Sequence, residues 1–85
     1  MSKLIPAAER ILRARKLIQK AREVPVPAEM GKNDLAYIAQ VRDLLRQARE
    51  LVKLIPFSPS ATAEMKEDVK RIFEETERAN REILG

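Results

Sequence analysis

The stretch from Asp34 to Ile55 constrains the fold more than any other part of this chain. Its apolar residues recur at alternating spacings of three and four residues, which places them on one face of an α-helix. The main row consists of Ile38, Val41, Leu45, Ala48, Val52 and Ile55, and a second row of Tyr37, Leu44 and Leu51 widens it on one side. A stripe this broad cannot be covered by one neighbouring helix. We therefore predict the middle helix of a bundle, in contact with a partner on each flank.

The preceding segment predicts a first helix over about residues 4–24. Pro6 suits a first helical turn, where the backbone donors have no partners. The inward row comprises Leu4, Ala7, Ile11, Ala14, Ile18 and Ala21, with Leu17 and Val24 along one edge. The alanines of this row predict that a neighbouring backbone approaches closely. The prolines at positions 25 and 27 should end the helix near Val24, because a residue before proline favours an extended conformation.

The connection between the first two helices covers residues 25–33, which is long for antiparallel neighbours. We expect it to fold back over the end of the bundle, with Val26 and Met30 beneath it. Gly31 is the natural position for a positive φ angle. Either Asn33 or Asp34 should cap the middle helix.

A third helix is predicted over about residues 59–84, and the middle helix over about 34–55. Ser58 before Pro59 suits an N-cap, although Ser60 or Thr62 could cap instead. The core row reads Met65, Val69, Ile72, Thr76, Ala79 and Ile83, edged by Phe73, Asn80 and Leu84. We expect the Thr76 hydroxyl to bond to a carbonyl one turn earlier and Asn80 to lie at the edge of the solvent, although the pair could instead mark a ligand pocket.

These elements predict an all-α fold, an antiparallel up-down-up three-helix bundle that occupies residues 1–85 as one domain. The ends of this bundle should be closed by apolar side chains, and Leu35 and Leu54 should be end caps. One end is predicted to contain Leu4, Leu54, Phe57 and Met65, and the other Val24, Val26, Met30, Tyr37, Ile83 and Leu84.

The composition argues against an enzyme. The chain has no cysteine and no histidine, which removes thiol nucleophiles, the usual general base and the commonest metal ligand. We expect no catalytic residues, no cofactor, no metal site and no small-molecule substrate. The acidic edge of the third helix is predicted to pair with arginines of a neighbouring helix, either Arg15 and Arg22 or Arg42 and Arg49. Its residues are Glu64, Asp68, Arg71, Glu75, Arg78 and Glu82.

No membrane span is expected, because the uncharged runs are too short. No signal peptide is expected either, because the opening from Met1 to Pro6 is too short and carries its charge too early. A cytoplasmic or recombinant protein is the default expectation. The first helix is basic, with seven basic and two acidic residues from Lys3 to Glu23. Aromatic residues do not interleave with these charges, which disfavours nucleic-acid binding.

Three apolar residues of the first helix, Ile5, Ala8 and Leu12, fall outside its inward row. Scattered exposed apolar residues are common on protein surfaces, so these three residues need have no special role. The alternative is a partner-binding surface with apolar anchors and a polar rim. Its predicted residues are Ile5, Ala8, Leu12, Arg15, Lys16 and Gln19. We expect a monomer whose partner is a protein with an acidic or apolar surface.

Two resemblances bear on function. Ser58-Pro59, the near-regular heptad rows, the charged helix surfaces and the lack of Cys, His and Trp resemble computationally designed helical bundles. That resemblance implies a scaffold or a binder that presents a rigid helix face.

The run from Glu77 to Leu84, Glu-Arg-Ala-Asn-Arg-Glu-Ile-Leu, is similar to the end of the third helix of MIT domains. These natural adaptors bind peptides against their second and third helices. The resemblance would place Val69, Phe73 and Asn80 near such a groove. The proline-rich first loop and the Leu/Val seam of the middle helix depart from that family's pattern.

Overall fold

A computed structural model describes residues 6–85 of the chain. It contains three α-helices, α1 (Ala7–Glu23), α2 (Leu35–Val52) and α3 (Ala63–Leu84). Two short 3₁₀ turns, Gly31–Asn33 and Ile55–Phe57, lie in the connections, and residues 6–85 include no strand. Each helix packs against both of the others, so the predicted all-α three-helix bundle is confirmed. Leu4 and Ile5, which the sequence analysis assigned to the core and to the partner surface, lie outside the described residues.

The core is formed by the three predicted rows. Its buried apolar residues are Ile11, Ala14, Ile18 and Ala21 of α1, Tyr37, Val41, Leu45, Ala48 and Val52 of α2, Val69, Ile72 and Ala79 of α3, and Ile55. Alanine occupies fully buried positions on all three helices, which agrees with the close approach expected from the sequence. Thr76 is also buried, and its hydroxyl donates a hydrogen bond to the Phe73 carbonyl oxygen at 2.7 Å. The predicted back-bond is therefore present, and it satisfies this core polar group.

The start of α2 differs from the predicted seam. Tyr37, assigned to the edge row, is buried, whereas Ile38, assigned to the main row, is only half-buried. A strict seven-residue repeat drifts by about 20° per heptad around a straight helix. Towards the beginning of α2, this drift turns Ile38 out of the core and Tyr37 into it.

The helix starts follow local capping chemistry. Asp34 accepts a hydrogen bond from the Tyr37 amide at 3.0 Å and caps α2. Thr62 caps α3 by accepting from the Met65 amide at 3.0 Å, so α3 begins at Ala63 rather than near Pro59. Ser58 does not cap α3, which begins five residues later, and its hydroxyl bonds instead to that of Ser60 at 2.9 Å. Of the alternatives left open by the sequence, Thr62 was the right cap.

Both connections leave apolar side chains in solvent, contrary to expectation. Val26 and Met30 are exposed rather than tucked beneath the first loop. That loop is held by its own backbone: Gly31 has φ of +57° and donates to the Pro27 carbonyl at 3.0 Å. It therefore needs no burial of its side chains to keep its shape.

Among the residues predicted to close the ends, Val24, Met65, Ile83 and Leu84 pack against the core, but Leu35, Leu54 and Phe57 do not. Leu35 and Phe57 are each 81% exposed, and Leu54 is 65% exposed. Leu35 is the first residue of α2 and lies outside its buried stripe. In the second connection, the 3₁₀ turn points Ile55 into the core, which directs its neighbours Leu54 and Phe57 outwards.

Leu45→Ala should lower the free energy of unfolding by about 2 to 5 kcal/mol, because it empties a buried core site. Leu35→Ala, the same change at an exposed site, should alter it by no more than about 0.5 kcal/mol. Urea denaturation of both variants and the parent chain measures the difference. Equal losses from the two substitutions would contradict the assigned core.

Candidate functional site

The structure brings together three residues of the predicted partner surface. Ala8, Leu12 and Arg15 line a groove of about 520 Å³ between α1 and α3, and Leu12 is 47% exposed. Lys16 lies on the other flank of α1, in a groove shared with α2. Gln19 is exposed and donates to the Glu23 carboxylate at 2.9 Å. Of the predicted set, Ala8, Leu12 and Arg15 therefore share one groove, and Lys16 lies in another.

The α3 side of this groove was not part of the predicted surface. Thr62, Met65 and Asp68 contribute to its lining. Met65 also lines an adjacent groove of about 430 Å³, where Ala61 and Leu54 lie. The exposed apolar and small residues of the two grooves are thus linked through Met65. We define the α1–α3 surface by these residues: Ala8, Leu12, Arg15, Leu54, Ala61 and Met65.

The sequence offered one signal for this extension. Met65 and Leu54 were predicted at the same end of the bundle, and both line the adjacent groove of about 430 Å³. Leu54 was predicted to close the core, so its exposure at this surface was not predicted.

Two ion pairs join α1 to α3. Arg15 Nη2 lies 3.2 Å from Asp68 Oδ1, and Arg22 Nη2 lies 2.9 Å from Glu82 Oε1. The acidic edge of α3 therefore faces α1, which resolves the two alternatives left open by the sequence. Exposed pairs contribute about 0 to 1 kcal/mol each, so they select the arrangement of helices more than they stabilise it.

A second groove, of about 710 Å³, lies between α1 and α2. Leu17 and Leu51 form its apolar part, and both are half-buried against the core. Its charged lining contains five basic residues and one acidic residue: Arg10, Arg13, Lys16, Lys20, Arg46 and Glu50. We call this the cationic groove.

A third groove, the α2–α3 groove, has a volume of about 680 Å³ and is lined by both Thr76 and Asn80. Asn80 is exposed, as expected, and the Thr76 hydroxyl is already engaged by a backbone carbonyl. Arg42, Arg49 and Arg81 give the groove a polar rim. Val69 is buried and Phe73 is half-buried against the core, and neither of them lines this groove.

Two carboxylates of α2, Asp43 and Glu50, have pKa values below their ordinary ones. Hydrogen bonds from Arg46 and then Gln47 lower the pKa of Asp43 below its ordinary value. A hydrogen bond from Lys53 lowers the pKa of Glu50 in the same way. Both carboxylates are solvent-exposed, and each adds a negative charge to the surface of α2.

Residues 6–85 contain no cluster of three or more side chains suited to hold a metal ion. Within the same range, no helix is both long and apolar enough to cross a membrane. Comparisons with protein-family profiles, with curated proteins and with solved structures found no match.

Arg46→Gln should raise the pKa of Asp43 towards its ordinary value, because the first cause of its lowering is removed. A carboxylate with a lowered folded-state pKa adds stability at neutral pH that is lost as the pH falls through that pKa. Carboxyl ¹³C NMR titration measures the change, with Arg49→Gln as the control that leaves Asp43 unaltered. An ordinary pKa for Asp43 in the parent chain would contradict the assigned hydrogen bonds.

Proposed function

We propose that this chain is a non-catalytic helical bundle that serves as a protein-binding module or scaffold and presents the α1–α3 surface to a partner. The observation that carries the proposal is the position of Leu12. This leucine is half exposed on α1, beside Ala8 and opposite Met65, and the groove there is open to solvent. Arg15 and Asp68 supply a polar border. An apolar centre with a polar rim is the usual composition of a protein-binding patch.

A designed origin agrees best with the sequence. The buried rows keep near-regular heptad spacing, and the chain lacks Cys, His and Trp. Designed binders commonly present a rigid helix face of a small bundle to a groove or flat epitope. The absence of histidine and cysteine also supports a role without catalysis.

A natural adaptor of the MIT type is the second candidate. It is supported by the α2–α3 groove, which lies between the helices that the resemblance implies and includes Asn80 in its lining. The groove is more polar than the α1–α3 surface, with Arg42, Arg49 and Arg81 around it. A peptide bound in the α2–α3 groove would therefore need acidic residues, and Arg49→Glu would weaken its binding.

The two surfaces can be separated with a displayed library of amphipathic helical peptides. Peptides selected against the parent chain should shift the NMR signals of Ala8, Leu12 and Met65. Leu12→Glu should then weaken binding by about tenfold or more, because it places a charge in the apolar centre. Leu35→Glu is the matched control, since it makes the same change at an exposed leucine of α2.

Thermal unfolding followed by circular dichroism must show that Leu12→Glu remains folded, and Ala8→Glu provides a second variant at an exposed position. Arg15→Glu is less informative, because it would oppose Asp68 as well as any partner. Peptide-induced shifts of the Asn80 and Arg49 signals, together with loss of binding in Arg49→Glu, would favour the MIT-type adaptor. Failure to select any peptide that depends on Leu12 would contradict the main proposal.

A further inference from the structure

The cationic groove lies on the flank of α1 opposite the α1–α3 surface and differs from it in charge. Five of its six charged lining residues are basic. Its acidic member, Glu50, is paired with Lys53 and therefore does not neutralise the cations of α1. We infer that this groove is a separate binding site for an acidic amphipathic helix of another protein.

The floor of the cationic groove is apolar. Leu17 and Leu51 come from neighbouring helices, and both are half-buried and packed against the core. Their remaining exposed atoms offer an apolar strip that is already fixed in position. Amphipathic helices bind such strips through apolar residues at i, i+3, i+4 and i+7.

The rim of the cationic groove is basic. Lys16 and Lys20 are one turn apart on α1, and neither forms an ion pair with another described residue. Arg46 lies across the groove on α2, where it is paired with Asp43. A bound helix with glutamates beside its apolar face would therefore meet Lys16 and Lys20 on α1, and on α2 it would share Arg46 with Asp43. Such complementarity mainly sets orientation, association rate and specificity.

The shape of the cationic groove suits a helix. The groove follows the valley between two antiparallel helices, which receives the side-chain ridge of a third helix in ordinary helix packing. α3 occupies the corresponding position on the other side of α1 and α2. A bound helix would therefore complete a four-helix arrangement around the same pair.

The same observations disfavour other occupants. A flat membrane surface would contact protruding apolar side chains, but Leu12, Leu54 and Phe57 do not line this groove. Its lining contains no aromatic residue on which a nucleic-acid base could stack. The acidic edge of α3 in a second copy is already engaged in part, since Asp68 and Glu82 pair with α1.

The probe for the test is a synthetic helical peptide of about four turns, with leucine at i, i+3, i+4 and i+7 and glutamate on both flanks. Calorimetric titration should show binding that weakens as salt is raised. The double variant Lys16→Glu/Lys20→Glu should bind at least about tenfold more weakly. A peptide with glutamine in place of glutamate should also bind more weakly, and the Leu17 and Leu51 methyl signals should shift with the parent peptide.

The matched control is Lys66→Glu/Lys70→Glu. It makes the same charge change at the same spacing, on exposed positions of α3 that line none of the grooves described. It should retain most of the affinity. Thermal unfolding of both double variants confirms that each is folded, and Lys16→Gln/Lys20→Gln gives an intermediate loss.

Four results would overturn the inference. A scrambled peptide of the same composition could bind equally well, which would reduce the effect to charge attraction. The methyl shifts could fall outside Leu17 and Leu51. Anionic phospholipid vesicles or an oligonucleotide could bind through Lys16 and Lys20 while the peptide does not. Sedimentation could show self-association that the acidic peptide does not compete with. The proposed α1–α3 surface would be unaffected by any of them, because Leu12 and Met65 do not line this groove.

Discussion

The burial of the α2 seam between α1 and α3 is the interaction on which the rest of the structure depends. Val41, Ala48 and Val52 have no exposed surface, and Ala14 and Ala79 are equally enclosed on the neighbouring helices. Expulsion of these apolar groups from water provides the main driving force, and the alanines let the three backbones approach closely. The hydroxyl of Thr76 lies within this core, and a backbone carbonyl satisfies it.

Periodicity was sufficient to predict the helices and their inward faces, because a buried stripe repeats wherever a helix packs lengthwise on another. Residue type, rather than periodicity, identified Asp34 as one of two possible caps and Gly31 as the residue with positive φ, since both features depend on local chemistry. The ends of the helices could not be predicted in the same way. Whether Leu54 and Phe57 cover the core depends on the 3₁₀ turn that directs Ile55 inwards. The exchange of Ile38 for Tyr37 depends on an accumulated rotation that a list of spacings does not show.

The candidate sites were less accessible to sequence reasoning, because each lies between two helices. The sequence identified Ala8, Leu12 and Arg15 as lying outside the core row of α1, but not the α3 residues opposite them. Which helix faces the acidic edge of α3 depends on the handedness of the bundle, which the Arg15–Asp68 and Arg22–Glu82 pairs reveal. That arrangement also divides the basic residues of α1. Arg15 and Arg22 pair with α3, whereas Lys16 and Lys20 lie on the side away from its acidic edge.

The central claim is therefore one cooperative core, which holds α1 in place and leaves accessible both of the flanks where we propose binding. Native-state hydrogen exchange tests this claim most directly. The amides of Ala14, Val41, Leu45 and Ile72 should exchange only through global unfolding, with one common free energy on all three helices. Exchange of the α3 amides at a much lower free energy than those of α1 and α2 would show that α3 detaches independently, and would contradict the account.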